Sequence, residues 1–140
     1  TPDLPLAYYD DESNDEITND TFESIRKFEE IELAEYRKME IMQLKSELDG
    51  YGISLFNVSS ASPKQAGTRK IYREIIKYIM QEQSIISEIK QKKYLPIQKI
   101  CEATGLHRKK VERARDYLIT CTLVLSGEYQ YLQEFINWRL

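Results

Sequence analysis

The clearest pattern of apolar and polar positions lies in residues 94–125 and predicts two helices joined by a tight turn. On the first helix the apolar side chains recur at the spacing of one helical face: Ile97, Ile100 and Cys101. Gly105 follows where a residue with positive φ can turn the chain sharply. A second apolar stripe then runs along one longer helix, predicted over residues 107–125: Val111, Ala114, Leu118 and Cys121. We call residues 94–125 the corner, and its spacing is typical of a helix-turn-helix.

The rest of the chain shows further helical stripes separated by turn residues. Asp20, with Glu23 three residues later, resembles a capping box and predicts a long helix over residues 21–49. Four further elements are predicted: a short turn capped by Ser54, a helix over 68–81 after a capping signal at Ser62-Pro63, a short helix capped by Ser84, and a last helix after Gly127. All of these elements are helical, so the predicted fold class is all-α.

The predicted organisation is an acidic linker followed by two small helical subdomains. Residues 1–20 contain two prolines, and six acids fall between Asp10 and Asp20, which is typical of a linker without its own core. The subdomains are predicted over residues 21–93 and 94–140, the second being the helix-turn-helix. At 140 residues and 41% apolar residues, the chain is long enough for two such cores. It lacks an initiator Met, which suggests a fragment or a processed chain.

The charges are distributed unevenly along a chain whose net charge is only −3. Residues 1–63 carry 5 basic and 15 acidic side chains, whereas residues 64–115 carry 14 basic and 5 acidic ones. The acidic total argues against a nonspecific coat for nucleic acid. The local positive excess around the corner, however, is the electrostatic pattern expected of a surface that binds phosphate. A run of cations is commonly just a solvated face, and this distribution favours the DNA-binding interpretation over that one.

The exposed positions of the second predicted helix are candidates for contact with DNA. With its apolar stripe buried, four side chains point toward a groove and are predicted to contact base edges: Arg108, Lys109, Glu112 and Arg113. Four others are predicted to contact phosphates: Lys99, His107, Lys110 and Arg115. Arginine and lysine favour guanine, while glutamate accepts a hydrogen bond from cytosine N4, so we expect a half-site that contains G·C pairs.

The sequence contains no constellation that predicts catalysis, a metal or a cofactor. A lone histidine, His107, cannot supply a histidine-based metal cluster, and neither a phosphate-binding loop nor a nucleophile-elbow motif occurs. Cys101 and Cys121 fall on apolar stripes, which predicts reduced core residues. No apolar run approaches 18 residues, and no signal peptide is present. We therefore expect a cytoplasmic protein that is not an enzyme and has no small-molecule substrate.

Two segments together resemble a known family. The run LHRKKVERARDYLITCTLVLSGEYQYLQEF, with the upstream GISLFNVSSASPKQAGTR, is similar to the C-terminal part of the sigma-I alternative sigma factors of spore-forming and cellulolytic Gram-positive bacteria. The resemblance implies binding to the −35 promoter element and to core RNA polymerase, in stress response and cellulosome regulation. It also implies control by a membrane-spanning anti-sigma factor of the RsgI type, whose cytosolic N-terminal domain would hold this region. The family usually has a small hydroxyl residue where this chain has His107.

A turn-rich segment between the predicted helices is the candidate anti-sigma interface. Its apolar side chains are expected to be only partly buried: Tyr51, Ile53, Leu55, Phe56 and Val58. Two other functions remain open at this point. The chain could be a helix-turn-helix regulator unrelated to sigma factors, or a protein-interaction module whose corner does not contact DNA.

Overall fold

The structure, a computed structural model, describes the backbone of residues 15–139 and the side chains of residues 18–136. Within that range the regular structure is entirely helical, and the predicted all-α fold class is confirmed. The helices of the described chain are, in order: α1 Asp15–Asp49, α2 Leu55–Ala61, α3 Ala66–Gln81, α4 Gln83–Lys92, α5 Ile97–Thr104, α6 Arg108–Arg113, α7 Arg115–Ser126 and α8 Gln130–Arg139. None of these helices is long and apolar enough to cross a membrane.

Backbone contacts divide the chain into two units, one up to Met39 and one from Glu40 onward. The described part of the first unit is a stretch of α1, which begins at Asp15 and not at the predicted position near residue 21. Residues 15–20 contain neither glycine nor proline, so nothing in their backbone opposes an earlier helix start. These residues of the predicted linker are therefore helical, and its remainder, residues 1–14, lies outside the described range.

Helical periodicity overestimated burial in the first unit. Phe28 belongs to an apolar stripe that helical spacing predicts along one face of α1, and it is 53% exposed. The described part of this unit is one helix, and one helix cannot bury a stripe against itself. Farther along the same predicted face, Leu44 and Leu48 are buried in the second unit, where other helices cover them.

Helix α7 forms the centre of the second unit. Seven consecutive residues, 118–124, are buried, so this helix is enclosed on all sides. The two buried hydroxyl groups are satisfied within the helix, since Thr120 donates to the Asp116 carbonyl at 2.7 Å and Thr122 to the Leu118 carbonyl at 2.8 Å. Helices α2 and α3 pack along α7, and α3 also packs against α5. One cluster of buried apolar residues therefore runs from Leu44 to Tyr129.

The helix caps confirm one predicted signal and correct two others. Ser54 caps α2, with its hydroxyl oxygen accepting from the Asn57 amide at 3.2 Å. Ser62 ends α2 and does not begin α3, because its hydroxyl donates back to the Ser59 carbonyl at 2.7 Å. Ser84 lies inside α4, whose N-cap position is Glu82. The isoleucines predicted to face inward from α4 are buried: Ile85, Ile86 and Ile89.

Helix α8 is held to the second unit by two carboxylates from α1. Glu40 accepts from the backbone amides of Tyr131 and Leu132, at 3.1 and 3.0 Å, and so caps the first turn of α8. The Tyr129 hydroxyl donates to Glu47 at 2.6 Å, and its ring is almost completely buried. These contacts join segments more than 80 residues apart in the chain.

The predicted boundary at residue 93 falls within the second unit, where α3 from one predicted subdomain contacts α5 and α7 from the other. The division into helical subdomains over residues 21–93 and 94–140 remains a prediction.

Candidate nucleic-acid interface

The first half of the corner is fixed by hydrogen bonds around Gly105. This residue has φ +73°, a left-handed conformation that favours glycine, and its amide donates to the Cys101 carbonyl at 2.8 Å to end α5. The Thr104 hydroxyl donates to the Ile100 carbonyl at 2.7 Å, and Leu106 is half-buried and packs against the core. The predicted glycine turn is confirmed at this position.

Helix α6 begins with an imidazole cap. His107 has extended backbone angles, and its Nδ1 accepts from the Lys109 amide at 3.3 Å, which is the hydrogen bond that a serine or threonine hydroxyl would accept at this position. Because Nδ1 is the acceptor, the proton of the neutral ring is on Nε2 and can be donated outward. The imidazole therefore caps this helix start in place of the serine or threonine hydroxyl that is common at N-cap positions.

The second predicted helix is interrupted at Ala114, so the expectation of one helix over residues 107–125 is wrong. Ala114 has φ −87° and ψ −2°, and its amide donates to the Val111 carbonyl at 3.1 Å, three residues back. Such a bond tightens the turn at the end of α6 before α7 begins. Val111 and Ala114 are both fully buried, so α6 presents only its opposite side to solvent.

The structure brings all four predicted base-contacting residues onto α6, and all four are exposed. Two of them are paired with each other, because Arg108 Nε lies 2.8 Å from the Glu112 carboxylate. Lys109 and Arg113 have no carboxylate partner among the described residues. The side chains that could read a base sequence are therefore one fixed arginine–glutamate pair and two separate cations.

The four predicted phosphate-contacting residues also differ in whether a carboxylate is paired with them. His107 and Lys110 are exposed at the start of α6. Lys99, on α5, is paired with Glu88 of α4 at 2.7 Å, and Arg115 is half-buried and paired with Asp116 at 2.7 Å. Glu88 is 11 residues from Lys99 in the chain, and no local sequence signal indicates this pair.

Glu88 is a junction between α4 and the corner. Its carboxylate also accepts from the Tyr94 hydroxyl at 3.0 Å. The pKa of Glu88 is lowered, mainly by the hydrogen bond from Lys99 and then by the one from Tyr94. The hydrogen bond to Glu88 in turn raises the pKa of Lys99. The ionised carboxylate thus fastens the first helix of the corner to the helix before it.

We expect replacement of Glu88 by glutamine to lower the free energy of unfolding near neutral pH but not in acid. The folded pKa of Glu88 is depressed, so its contribution is present above the ordinary pKa of a glutamate and is lost as the pH falls through the folded value. Urea unfolding from about pH 7 down to about pH 3 would measure this. Glu128→Gln, at an exposed glutamate, is the matched control. A Glu88 effect that does not change with pH would contradict the assignment.

The candidate anti-sigma segment is buried at two of its five predicted positions. Tyr51 and Ile53 belong to the core, where Lys93 Nζ lies 4.5 Å from the centre of the Tyr51 ring, so partial burial was wrong for both. Phe56 is 78% exposed. Leu55 and Val58 are half-buried and line an apolar groove of about 420 Å³ among α1, α2, α7 and α8 of the second unit.

Both cysteines are free thiols, Cys101 half-buried and Cys121 buried. Burial raises the pKa of the Cys121 thiol to about 12, so it stays protonated at neutral pH. Among the described residues, no three histidine, cysteine or acidic side chains lie close enough to hold a metal ion.

Comparison with known proteins places the chain among sigma factors. RNA polymerase sigma factor SigI7 of Acetivibrio thermocellus is 43% identical over 117 residues, which cover 84% of this chain and 50% of that protein. SigI of Bacillus anthracis is 33% identical over 101 residues, covering 72% of this chain and 42% of that protein, and SigI of Bacillus subtilis is 26% identical over 103 residues. No protein-family model matches the chain.

The chain spans about half the length of the curated relatives it matches. Further sigma factors of the same group from Acetivibrio thermocellus are similar over almost its whole length. The resemblance drawn from the corner and the upstream segment is confirmed, and the chain belongs to the SigI family of RNA polymerase sigma factors.

Proposed function

We propose that this chain is the promoter-binding region of a sigma factor, which places the corner in the major groove of the −35 element while core RNA polymerase is bound to the same factor. The observation that carries the proposal is the arrangement of α6. It is capped at its start, buried along Val111 and Ala114, and presents four charged side chains on its exposed side. The relatives of the chain are RNA polymerase sigma factors by name, which favours promoter DNA as the partner.

The dimensions of α6 fit a short site. At 1.5 Å per residue its six residues are roughly 9 Å long, and a base pair occupies about 3.4 Å of the duplex axis. The exposed side of α6 would therefore read about three base pairs. Helix α7 cannot extend this reading, because its residues 118–124 are buried in the protein.

Within that site the four side chains would have different roles. Arg113 and Lys109, which have no ion-pair partner among the described residues, suit the O6 and N7 atoms of guanine. The Arg108–Glu112 pair would present a donor and an acceptor together, matching guanine and a neighbouring cytosine. His107 can cap α6 through Nδ1 and donate to a phosphate through Nε2, and Lys110 lies exposed beside it.

Selection of duplexes from a randomised pool by the 140-residue chain would test the proposal, followed by promoter-directed transcription with the complete sigma factor and core polymerase. We expect the selected duplexes to share a site of about three base pairs rich in G·C, and the double variant Arg108→Ala/Arg113→Ala to lose transcription from promoters that contain it. Lys27→Ala/Arg37→Ala removes two exposed cations from α1 and is the control. Normal transcription with the double variant would exclude α6 as the reading helix.

A protein-binding surface is supported by Phe56, because this phenylalanine is 78% exposed and directly follows Leu55, which lines the apolar groove. We propose that Phe56, with Leu55 and Val58, contacts the cytosolic domain of an anti-sigma factor of the RsgI type. Tyr51 and Ile53 would support this surface from the core and would not touch the partner.

We expect Phe56→Ala to weaken that complex by more than about 1 kcal/mol, or roughly fivefold, since a buried aromatic anchor contributes at least this much. Calorimetric titration with the purified cytosolic domain would measure the change. Asn57→Ala, at the neighbouring exposed position, is the control. Equal affinities for wild type and Phe56→Ala, with both proteins folded, would place the interface elsewhere.

A further inference from the structure

We infer that the exposed cations of α3 form a second DNA-contacting surface, which binds backbone phosphates next to the site read by α6. We call it the α3 basic surface and define it by three exposed cations on α3 and one just before the helix: Lys70, Arg73, Lys77 and Lys64. The inference rests on the proposed function, because it extends the DNA contact of the corner to a helix outside it.

The first argument is the absence of compensating charge. All four side chains are exposed, and none has an ion-pair partner among the described residues. Residues 64–77 contain five basic residues and one acid, Glu74. The corner differs, since three of its predicted DNA contacts are paired with carboxylates of the same chain: Lys99, Arg108 and Arg115.

This difference affects how much each cation can contribute to DNA affinity. Each cation that displaces the counterions of a phosphate makes the decrease of log affinity with log salt steeper by about 0.9. A cation that must first separate from a carboxylate contributes less to DNA affinity, because the free energy lost with the old ion pair offsets part of that gained from the phosphate. The largest salt-dependent contribution is therefore expected from unpaired cations, and α3 carries a group of them.

The second argument is position. Tyr72, next to Arg73 in the chain, has its ring centroid 5.7 Å from that of Tyr117 on α7, and Tyr117 follows Arg115 by two residues. Burial raises the pKa of Tyr72, and the positive charge of Arg113 opposes that increase, so Arg113 at the end of α6 lies near this tyrosine. Helix α3 also packs against α5 and α7. Arg73 of the α3 basic surface follows Tyr72 directly in the chain, so the surface includes a residue next to the one that lies near Arg113.

The third argument is spacing. Lys70, Arg73 and Lys77 are separated by three and four residues, so they follow one side of α3 over roughly 10 Å. Successive phosphates of one strand advance by about 3.4 Å along the duplex axis, so this length corresponds to about three phosphates. The phosphates are the same at every base pair, so we expect this contact to be independent of the DNA sequence.

Fluorescence anisotropy of a 30-base-pair duplex with the 140-residue chain, over a salt series, would test the inference. The test variant is Lys70→Gln/Arg73→Gln/Lys77→Gln, and Lys27→Gln/Arg37→Gln/Lys38→Gln on α1 is the control with the same change in net charge. We expect the α3 variant to lower the salt slope by about 2–3 units and the affinity at about 50 mM salt by at least roughly tenfold. The control should leave the slope unchanged. Circular dichroism would show that each variant remains helical.

The corner variant Arg113→Ala, tested in parallel, separates this inference from the proposed function. If it loses sequence preference while the α3 variant binds like wild type, the inference is wrong and the proposed function stands. Equal slope losses in the α3 and α1 variants would show a general charge effect and would also overturn the inference. If the wild-type chain does not bind any duplex at about 20 mM salt, the inference fails, since phosphate contacts are strongest there, and the transcription assay decides the proposed function separately.

Discussion

Replacement of Arg113 by alanine should weaken binding to the selected duplex by about 1–3 kcal/mol, or roughly 5- to 150-fold, and should relax the preference at one base pair. Arg113 is exposed at the end of α6 and has no carboxylate partner among the described residues, so its guanidinium is available for the two acceptors of a guanine. Anisotropy titrations against the selected duplex, and against versions with one base pair exchanged, would measure both effects.

Lys110 provides the matched comparison for Arg113. It is exposed on the flank of the same helix, and its predicted partner is a phosphate. Lys110→Ala should therefore weaken binding to all duplexes alike and lower the salt slope by about one unit. If Arg113→Ala gave this pattern in place of a base-specific loss, Arg113 would be a phosphate contact and the assignment of roles on α6 would be wrong.

Replacement of Tyr129 by alanine should lower the free energy of unfolding by about 3–5 kcal/mol, the largest effect expected on stability. Its ring is almost completely buried beside Gly127, where an added methyl group would lie 3.1 Å from that ring. Its hydroxyl is also the donor to Glu47. Urea unfolding with an unchanged m value would measure the loss.

Tyr129→Phe separates the ring from the hydroxyl. This variant keeps the packing but leaves the Glu47 carboxylate without that donor, so we expect a smaller loss of about 1–3 kcal/mol. Burial, followed by the bond to Glu47, raises the pKa of Tyr129. The contribution of the neutral phenol is therefore present below the ordinary pKa of tyrosine and decreases at higher pH. A phenylalanine variant as unstable as the alanine one would show that the hydroxyl, and not the packed ring, dominates.

Features set by neighbouring residues were predictable from the sequence. The turn at Gly105 depends on the conformational freedom of glycine and on the apolar stripes beside it, and the Ser54 cap depends on an amide three residues away. The exposure of the four base-contacting candidates followed from the burial of Val111 and Ala114. In each case residues only a few positions apart along the chain indicate the result.

Features set by distant residues were not predictable in the same way. Glu40 caps a helix that begins 90 residues later, and Glu88 pairs with a lysine on another helix. Tyr51 and Ile53 lie in a turn-rich stretch that resembles an exposed loop, and they are buried because other helices pack over them. The break at Ala114 is likewise absent from the periodicity, since Val111 and Leu118 keep the spacing of one continuous stripe.

That break makes the DNA reading proposed for α6 sensitive to residues outside its exposed side. A helix of six residues, such as α6, is far shorter than the roughly 12–15 residues at which isolated helices become even marginally stable in water. Its shape is therefore maintained by the imidazole cap and by the two buried side chains beneath it. Substitutions at Val111 or Ala114, which are both fully buried in the common core, would disturb base selection and would also lower the free energy of unfolding. In the proposed reading, base selection thus depends on two residues that touch no base.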